Sequence, residues 1–520
     1  MLTAIDESGK PVDWWFLYKL PSGVKPRAGQ HSGKKTTQGN EYLYYDPRRK
    51  RPLELSPYRL GAMAQGAFFC TLEQIFDKPA SQVGWIFYND EYPADISPFQ
   101  ETDQAGGATK EELAARIATI EKTLVASWQA GESDWPPTVK PRLKSAGSPR
   151  GQRGRAANHD TCGHTKGILA FDLASDSAFW LSHSTPRIPA LKTPANERFF
   201  YPPYADQYAQ TFVCISLDVA AASDIANVMK TQHEPQVFGC HLPAGVGDVP
   251  EPVAAKGQAS VTSWQAENPS WQLYNLAQGS VPPSHGEAYR RKHERRPPAK
   301  LSFSSRGVAG VDKKQFLLLA KSAAWADDFW IDLVGPSLPN GKTGRPGVDL
   351  RVETWRRLTP SAMLPKDNVT DDDKDPVFYG SHDFSTPYKG RQYHHEFLER
   401  NGHEIVDEVT NIDLRDITDP AGLLTGVAGA KLGGYVWSYT RDHAKWAISE
   451  QDDERGVKTL QLVNGVTLAD EPGQVSDWVC VADLNRMTSQ ERRGGGAICF
   501  HEPLLWHGLN QIERISGKIT

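Results

Sequence analysis

Residues 163–171 read GHTKGILAF, a His-x-Lys triplet followed at once by an apolar run that is typical of a buried strand. A polar break over residues 172–177 comes next, and a second apolar run, FWL at 179–181, leads to His183 and Ser184. This pattern predicts a hairpin that places polar side chains at the ends of two neighbouring strands.

A second His-x-Lys triplet, His443-Ala444-Lys445, lies in the other half of the chain. Residues i and i+2 of an extended strand project from the same face, so each triplet would pair one imidazole with one ammonium group. An imidazole can act as a nucleophile or a general acid, and an ammonium group attracts the non-bridging oxygens of a phosphate. The pairs His164 with Lys166 and His443 with Lys445 therefore predict a phosphodiesterase site that needs no metal and no cofactor.

The segment after the second triplet supplies further polar groups. Residues 478–484 have the pattern of a buried strand and are followed by Asn485, and three glycines stand at 494–496. We expect the Asn485 amide and the backbone N–H groups of the glycine run to contact phosphate oxygens.

These segments together resemble the deoxyribonuclease II family, which comprises acid, metal-independent DNases related to the phospholipase D superfamily. The likeness extends to both ends and the middle of the chain, in residues 6–21 (DESGKPVDWWFLYKLP), 85–93 (WIFYNDEYP), 316–333 (FLLLAKSAAWADDFWIDL) and 348–356. The double His-x-Lys signature of the family corresponds to the two triplets, and its further functional histidine corresponds to His183.

The resemblance implies an α/β fold of two phospholipase D-like αβ sandwich halves, related by a pseudo-twofold axis, with the catalytic site at their interface. The Pro-, Gly- and Ala-rich residues 245–260 are the expected boundary, which gives halves at 1–250 and 251–520. The superfamily spacing His-x-Lys-x4-Asp is not met, since Phe171 stands at the aspartate position. We therefore assign no role to Asp172.

The resemblance implies that the chain hydrolyses double-stranded DNA without sequence specificity. The reaction passes through a phosphohistidine and leaves 3′-phosphate and 5′-hydroxyl ends. Superfamily analogy makes His164 the nucleophile and His443 the general acid, although the pseudo-symmetry allows the opposite assignment.

The remaining groups are expected to assist. Lys166, Lys445 and Asn485 would stabilise charge in the transition state. His183 with Ser184 would contact a phosphate or orient a catalytic group.

Two other functions stay open from the residues. His-x-Lys pairs select phosphodiesters and not bases, so the chain could be a lipid or small-molecule phosphodiesterase of the same superfamily. It could also be a DNA-binding module without catalysis. Comparing cleavage of plasmid DNA with hydrolysis of phosphatidylcholine distinguishes a nuclease from a lipid phosphodiesterase. Trapping of a phosphohistidine tests whether the chain is a DNA-binding module without catalysis.

Charge and composition agree with an acid nuclease. The net charge at neutral pH is −5, but the chain has 15 histidines, and their protonation on acidification would make the surface attractive to DNA. Basic segments at 140–155 and 290–300 would line a DNA groove or form solvated loops. No apolar run is long enough to span a bilayer, so we expect no membrane segment.

The cysteines bear on the compartment. Six are present, and Cys480 and Cys499 correspond to a disulfide of the family; two reduced cysteines on adjacent strands are the other reading. A disulfide requires an oxidising environment. Residues 1–9 are polar and show no secretory leader. We expect a secreted, periplasmic or acidic location. The oligomeric state is left open, with a homodimer as one option.

Other patterns predict local structure. Residues 109–127 and 316–325 have helical patterns, and strands are predicted at 14–18, 84–88, 211–215 and 348–355. The histidines of residues 393–403 and the aspartates of 371–375 lack the spacing of zinc or calcium sites, so no metal site is predicted. Cys162, two residues before His164, is interpreted as structural.

Overall fold

The computed structural model describes residues 1–27, 33–60, 65–75, 77–79, 81–91, 162–188, 201, 203–279, 296–308, 313–325, 328–339, 347–355, 406–450, 461–463, 466–468, 477–487, 490 and 493–515. The predicted helix at 109–127 and the segments 140–155, 371–375 and 393–403 lie outside these ranges.

The first half of the chain forms an eight-stranded antiparallel sheet in the order β10-β6-β7-β8-β9-β3-β4-β5, preceded by a small β1-β2 hairpin. These strands are β1 Ala4–Ile5, β2 Pro11–Val12, β3 Trp14–Lys19, β4 Glu41–Tyr45, β5 Glu54–Arg59, β6 Val83–Tyr88, β7 Gly167–Asp172, β8 Ser177–His183, β9 Gln210–Leu217 and β10 Val237–His241.

The second half forms a nine-stranded mixed sheet in the order β11-β12-β22-β21-β18-β13-β14-β17, with β23 also paired to β14. Its strands and those of two small hairpins are β11 Ala299–Ser304, β12 Gln315–Lys321, β13 Leu350–Glu353, β14 Val406–Asp413, β15 Thr418–Asp419, β16 Ala430–Lys431, β17 Val436–Ser438, β18 Trp446–Ser449, β19 Gln461–Val463, β20 Val466–Leu468, β21 Trp478–Ala482, β22 Gly495–His501 and β23 Glu513–Ile515.

Helices connect and cover the sheets. The α-helices are α1 Ala67–Glu73, α2 Val219–Val228, α3 Glu251–Ala254, α4 Gln258–Glu267, α5 Pro269–Ala277, α6 Gly335–Ser337 and α7 Pro503–Ile512. Residues Met229–His233 and Phe329–Val334 form π-helical turns, and Pro203–Asp206 and Tyr439–Arg441 form 3₁₀ turns. Among the described residues, no helix is both long and apolar enough to cross a membrane.

Strand β3 shows why the first sheet is buried on both faces. All six of its residues are buried, and successive side chains of a strand point to opposite faces. Trp14, Phe16 and Tyr18 join one hydrophobic core, whereas Trp15 and Leu17 join another that includes α1. A strand of this kind must be covered by other elements on each side.

One hydrophobic core is shared by both sheets. The Trp14 ring packs edge-on against Phe500, at 4.8 Å between ring centroids, and against Phe316 of the second sheet at 6.2 Å. Full burial of such an aromatic side chain stabilises the fold by about 1.5–3 kcal/mol. The two sheets are therefore packed together, and their ends can contribute to one site.

The structure confirms the predicted hairpin and corrects one predicted helix. Strands β7 and β8 pair from Gly167 with Ser182 to Asp172 with Ser177. The predicted helix at 316–325 is wrong, because Gln315–Lys321 is a strand between β11 and β22. Its run FLLLA suits a strand with neighbours on both sides as well as it suits a helix, and periodicity does not distinguish the two over so short a length.

The chain order of the two sheets agrees with the expected boundary region. Every strand of the first sheet precedes residue 245, and every strand of the second follows residue 260. The described structure is thus a mixed α/β fold with several largely antiparallel sheets. The division at residue 250 and the pseudo-twofold axis remain predictions.

Candidate active site

The first His-x-Lys triplet lies directly before strand β7 and not within it. The backbone N–H of His164 donates to Gly494 O at 2.8 Å, and the N–H of His183 donates to Lys166 O at 3.1 Å. The first bond joins the triplet to the second half of the chain. The second bond places the end of β8 beside it, as the hairpin pattern predicts.

The His164 ring has an acceptor oxygen near each of its nitrogens. Nδ1 lies 2.6 Å from the backbone oxygen of Asp483, and Nε2 lies 3.4 Å from a carboxylate oxygen of Asp90. Because the contact at Nδ1 is much the shorter, we assign the single proton of the neutral ring to Nδ1 and the lone pair to Nε2. Burial, and next the Lys166 ammonium, hold the pKa of His164 well below its usual range. This histidine is therefore a neutral imidazole whose Nε2 can attack.

Asp90 contacts positively charged groups from both halves of the chain. No role was predicted for it from the sequence. Its carboxylate lies 2.8 Å from Lys166 Nζ and 3.3 Å from Arg493 Nη2, and its exposed fraction is only 2%. Arg493 also donates to the backbone oxygens of Cys162 and Gly163. Asp90 belongs to the stretch WIFYNDEYP, which carried the family likeness but no assigned role.

The second triplet has the same position relative to its strand, directly before β18, but a different environment. The N–H of His443 donates to Ala209 O at 2.9 Å. The His443 ring stacks on Tyr208, at 3.9 Å between centroids and 12° between planes, and packs against Trp355 at 4.4 Å and 44°. These aromatic rings contribute to fixing the orientation of the histidine.

Asp442 anchors the second triplet from within the core. Its carboxylate accepts hydrogen bonds from the Tyr18 hydroxyl, from Trp437 Nε1 at 3.0 Å and from the Ala444 backbone at 2.9 Å. Burial raises the pKa of Asp442. Since these donors come from the first sheet and from β17, this carboxylate fixes the start of β18 against both sheets.

The charges of the two lysines influence each other, which indicates that the triplets lie near one another. Lys445 is buried, and this burial, followed by the positive charge of Lys166, lowers its pKa to about 7. Burial likewise lowers the pKa of Lys166, and Asp90 opposes that change. The charge of Lys445 in turn contributes to the lowered pKa of His164. The structure thus brings His164, Lys166 and Lys445 into one electrostatic cluster, with His443 held beside Lys445 by the chain.

His183 and Ser184 stand at the end of β8, close to this cluster. Burial, and next the charge of Lys166, lower the pKa of His183 to about 3, so its ring stays neutral. The Ser184 hydroxyl donates to Gln210 at 2.5 Å and accepts the Thr211 N–H at 2.9 Å. With its hydroxyl engaged in this way, Ser184 fits the predicted orienting role better than a phosphate contact.

Two residues after β21 complete the cluster. Burial raises the pKa of Asp483 to about 7, against the opposing charge of Lys166. The Asp483 carboxylate accepts the Gly496 N–H at 3.1 Å. Asn485 is buried, and its side-chain oxygen has no hydrogen-bond partner within the described part of the chain. A substrate group or a water molecule could supply that partner.

The glycine run has a packing role, and its expected phosphate contact stays a prediction. Residues 494–496 are buried, and Gly495 and Gly496 pair with β12 in the second sheet. A Cβ on Gly494 would lie 2.5 Å from Gln232 O, and one on Gly496 would lie 2.4 Å from His233 Nε2. Glycine is needed there because the π-helical turn at Met229–His233 packs directly against the run.

The Cys480–Cys499 disulfide is confirmed. The two residues are paired directly across β21 and β22, and the bond joins the strands that flank Asn485. Cys70, Cys162, Cys214 and Cys240 form no disulfide within the described part of the chain. The Cys162 sulfur lies 3.7 Å from Gln236 Oε1 in a buried position, in keeping with the structural interpretation.

The described residues contain no group of three or more His, Cys, Asp or Glu side chains arranged to hold a metal ion. Imidazole groups can act as nucleophiles, and buried ammonium groups can stabilise negative charge that develops in a transition state.

Comparison with known proteins gives the family. The family described as Deoxyribonuclease II matches residues 3–115, 148–394 and 408–516, which is most of the chain. The chain belongs to the deoxyribonuclease II family and is a hydrolase of that class.

The relatives come from bacteria and animals. A Burkholderia pseudomallei protein named "Putative deoxyribonuclease-2" is 30% identical over 98% of this chain and 92% of its own length. A Caenorhabditis elegans protein named deoxyribonuclease-2 is 25% identical over 98% of this chain and 91% of its own. The rat deoxyribonuclease-2-alpha is 23% identical, over 98% and 93% respectively. In all three, the similarity extends over nearly the whole chain.

Proposed function

We propose that this chain is a metal-independent acid endonuclease that cleaves double-stranded DNA through a phosphohistidine on His164. One observation carries the proposal: a neutral imidazole, with its Nδ1 proton held by Asp483 O, lies beside two buried ammonium groups, the second of which follows His443 in the chain. Family membership supports DNA as the substrate.

In the first step, Nε2 of His164 attacks the scissile phosphorus. A bond forms between nitrogen and phosphorus as the bond to the leaving 5′ oxygen breaks, and His443 gives that oxygen a proton. The proton stays on Nδ1 and remains hydrogen-bonded to the Asp483 carbonyl oxygen, which stabilises the positive charge that develops on the ring. The product retained on the enzyme is a DNA 3′-phosphate linked to His164.

In the second step, water attacks the same phosphorus. The now neutral His443 takes a proton from the water, the phosphorus–nitrogen bond breaks, and His164 is regenerated. The ends released are a 3′-phosphate and a 5′-hydroxyl. No metal takes part in this sequence, since each proton and each charge is handled by a side chain of the cluster.

Charge stabilisation in both steps falls to Lys166, Lys445 and Asn485. The two ammonium groups are buried, so their attraction for the phosphate oxygens is stronger than it would be in water. The Asn485 amide can donate to the same oxygens. His183, neutral and close to Lys166, would orient the first triplet together with Ser184.

Activity on the acid side follows from two groups in the cluster. Lys445 has a pKa lowered to about 7, so its positive charge is present below that pH and is lost above it. Asp483 has a pKa raised to about 7, so its negative charge is lost as the pH falls through the same range. Both changes make the cluster more positive on acidification, and His164 remains a neutral nucleophile.

The two sheets support the further proposal of phospholipase D-like halves, one over residues 1–250 and one over 251–520, each contributing one triplet. The buried disulfide supports a secreted, periplasmic or acidic compartment, because disulfides persist where the surroundings are oxidising.

The test is nicking of supercoiled plasmid from acidic to neutral pH in excess EDTA, with the His164→Ala, His443→Ala double variant in parallel. We expect chelator-resistant cutting that is favoured by acid and lost in the variant. Cutting that EDTA abolishes would refute the metal-independent route. Hydrolysis of phosphatidylcholine without cutting of DNA would replace the nuclease by a lipid phosphodiesterase.

A further inference from the structure

The connection between β3 and β4 is basic throughout. Residues 21–40 read PSGVKPRAGQHSGKKTTQGN, with four Lys or Arg residues and no Asp or Glu. The described parts of this connection are 21–27 and 33–40. Its charge is unusual in a chain whose net charge is negative, which indicates a function for the segment beyond joining two strands.

This connection lies beside the second triplet. The Ser22 N–H donates to Asp206 O at 3.0 Å, and Asp206 is two residues before Tyr208, whose ring stacks on His443. The Ser22 carbonyl accepts a hydrogen bond from the Arg441 guanidinium. Since Arg441 is two residues before His443, their Cα atoms are at most about 7 Å apart. The connection therefore borders the His443 side of the cluster.

Contacts with the second half of the chain hold the connection in place. The Arg27 N–H donates to Gly434 O at 3.0 Å, and the Lys35 N–H donates to Leu424 O at 2.8 Å. Lys34 Nζ donates to the backbone oxygens of Leu432 and Gly433, at 2.9 and 2.7 Å. The charge of Lys34 is used to anchor the loop, and the backbone on either side of it is fixed.

The other three cations of the connection lie at the protein surface. Lys25, Arg27 and Lys35 are exposed, and none forms an ion pair with any residue that the structure describes. Holding three uncompensated charges on an ordered backbone costs self-repulsion, which an anionic partner would relieve.

We propose that Lys25, Arg27 and Lys35 form a phosphate-binding strip that holds the DNA backbone on the His443 side of the scissile phosphate. The inference rests on the proposed function, since it takes the substrate of that site to be DNA. Duplex DNA carries a phosphate about every 3.4 Å of helix axis on each strand, so a row of three cations can neutralise several of them at once. Such contacts position the duplex and do not read its sequence.

The variant that tests the strip is Lys25→Gln, Arg27→Gln, Lys35→Gln, made in a His164→Ala background so that DNA is bound and not cut. The readout is the dissociation constant of a fluorescent duplex, measured by anisotropy over a series of salt concentrations. Each lost phosphate contact lowers the slope of log K against log salt by about 0.9. We expect the slope to fall by about 2 to 3 and binding at low salt to weaken roughly tenfold or more.

A matched control removes charge elsewhere. Lys50 and Arg51 are exposed in the turn between β4 and β5. This turn follows Tyr45, which pairs with Phe16 near the start of β3. The strip begins after Lys19, at the end of β3, so the turn and the strip lie at opposite ends of that strand. The variant Lys50→Gln, Arg51→Gln should keep the salt slope of the His164→Ala background. Unfolding curves of all variants confirm that the fold is retained.

The outcomes separate the strip from the proposed function. An unchanged slope in the triple variant, or an equal loss in the control, would overturn the strip while plasmid cutting by the unmodified enzyme still supports the nuclease. Absence of cutting by the unmodified enzyme would overturn the nuclease, and the binding measurement would then still answer whether the strip holds DNA.

Discussion

The two His-x-Lys triplets share the same histidine and lysine spacing but differ in what surrounds them. His164 lies between the Asp90 carboxylate and the Asp483 carbonyl oxygen, so polar groups fix its tautomer. His443 lies between the rings of Tyr208 and Trp355. We propose that the hydrogen bond from Nδ1 suits His164 to the role of nucleophile and that the stacked rings orient His443 as the proton donor. The two proposed roles would then differ because of tertiary contacts and not because of the motif.

The largest expected effect separates these roles by the leaving group. His164→Ala should abolish hydrolysis of both DNA and a p-nitrophenyl phosphodiester, since no nucleophile remains. His443→Ala should reduce DNA cleavage by about 10²–10⁴-fold but spare the first-turnover release of p-nitrophenol, a leaving group that departs without a proton. Pre-steady-state rates on the two substrates give the answer, because later turnovers also need His443 as the base for water.

The opposite pattern, with the p-nitrophenyl ester spared only in His164→Ala, would exchange the two roles. Equal losses on both substrates in both single variants would mean that the environments do not distinguish the histidines.

The next effect concerns Asp90. Its carboxylate raises the pKa of His164, against burial and Lys166, so Asp90→Asn should lower that pKa further. Loss of a charge-assisted contact of about 1.5–3 kcal/mol corresponds to roughly 10–100-fold in rate. The pH–rate profile should also move its acid limb to lower pH, since His164 then stays neutral in more acidic solution.

The Asp90→Glu variant keeps the charge and is the matched control, with partial recovery of the rate and of the acid limb expected. If Asp90→Asn is slower but the acid limb of its pH–rate profile does not move, Asp90 acts only through its structural contacts with Lys166 and Arg493.

A smaller effect tests the aromatic rings that pack on His443. Replacing Tyr208 by Leu removes a stacked ring, and aromatic pairs contribute about 0.5–1.5 kcal/mol, or up to roughly tenfold in rate. We expect that loss on DNA and little change in the first-turnover release of p-nitrophenol from the phosphodiester, because that release needs no proton from His443. Tyr208→Phe retains the ring and should behave as the unmodified enzyme. Equal losses on both substrates would point instead to a general disturbance of the site.

Part of this site could be predicted from the sequence. The apolar run after His164 and the turn before His183 are local patterns, and the structure shows the hairpin that they predict. The disulfide followed from the family likeness. The local sequence pattern did not predict the secondary structure of Gln315–Lys321. This segment is a strand because it pairs with a neighbouring strand on each side.

The groups that surround His164 and His443 could not be predicted from the sequence. Tyr208 and Trp355 meet His443 only because distant strands are packed together, and a lone aromatic residue is more often part of a core. Asp90 carried a local signal, as an acidic residue just after a buried strand, but its partners Lys166 and Arg493 come from separate parts of the chain. Such groupings depend on tertiary contacts that no spacing encodes.

The smallest effect is a change of pH dependence at Lys445. Its pKa of about 7 means that the ammonium charge is lost as the pH rises through neutrality, which contributes to the alkaline limb of activity. An Arg guanidinium keeps its charge throughout this range. Lys445→Arg should therefore extend activity to higher pH, by about one pH unit, even though the larger group lowers the maximum rate. Lys166→Arg is the comparison on the first triplet, where Asp90 already opposes loss of the charge, so its alkaline limb should move less. Equal movement of the limb in both variants would show that the two ammonium groups titrate alike, and the asymmetry between the triplets would then be confined to their histidines.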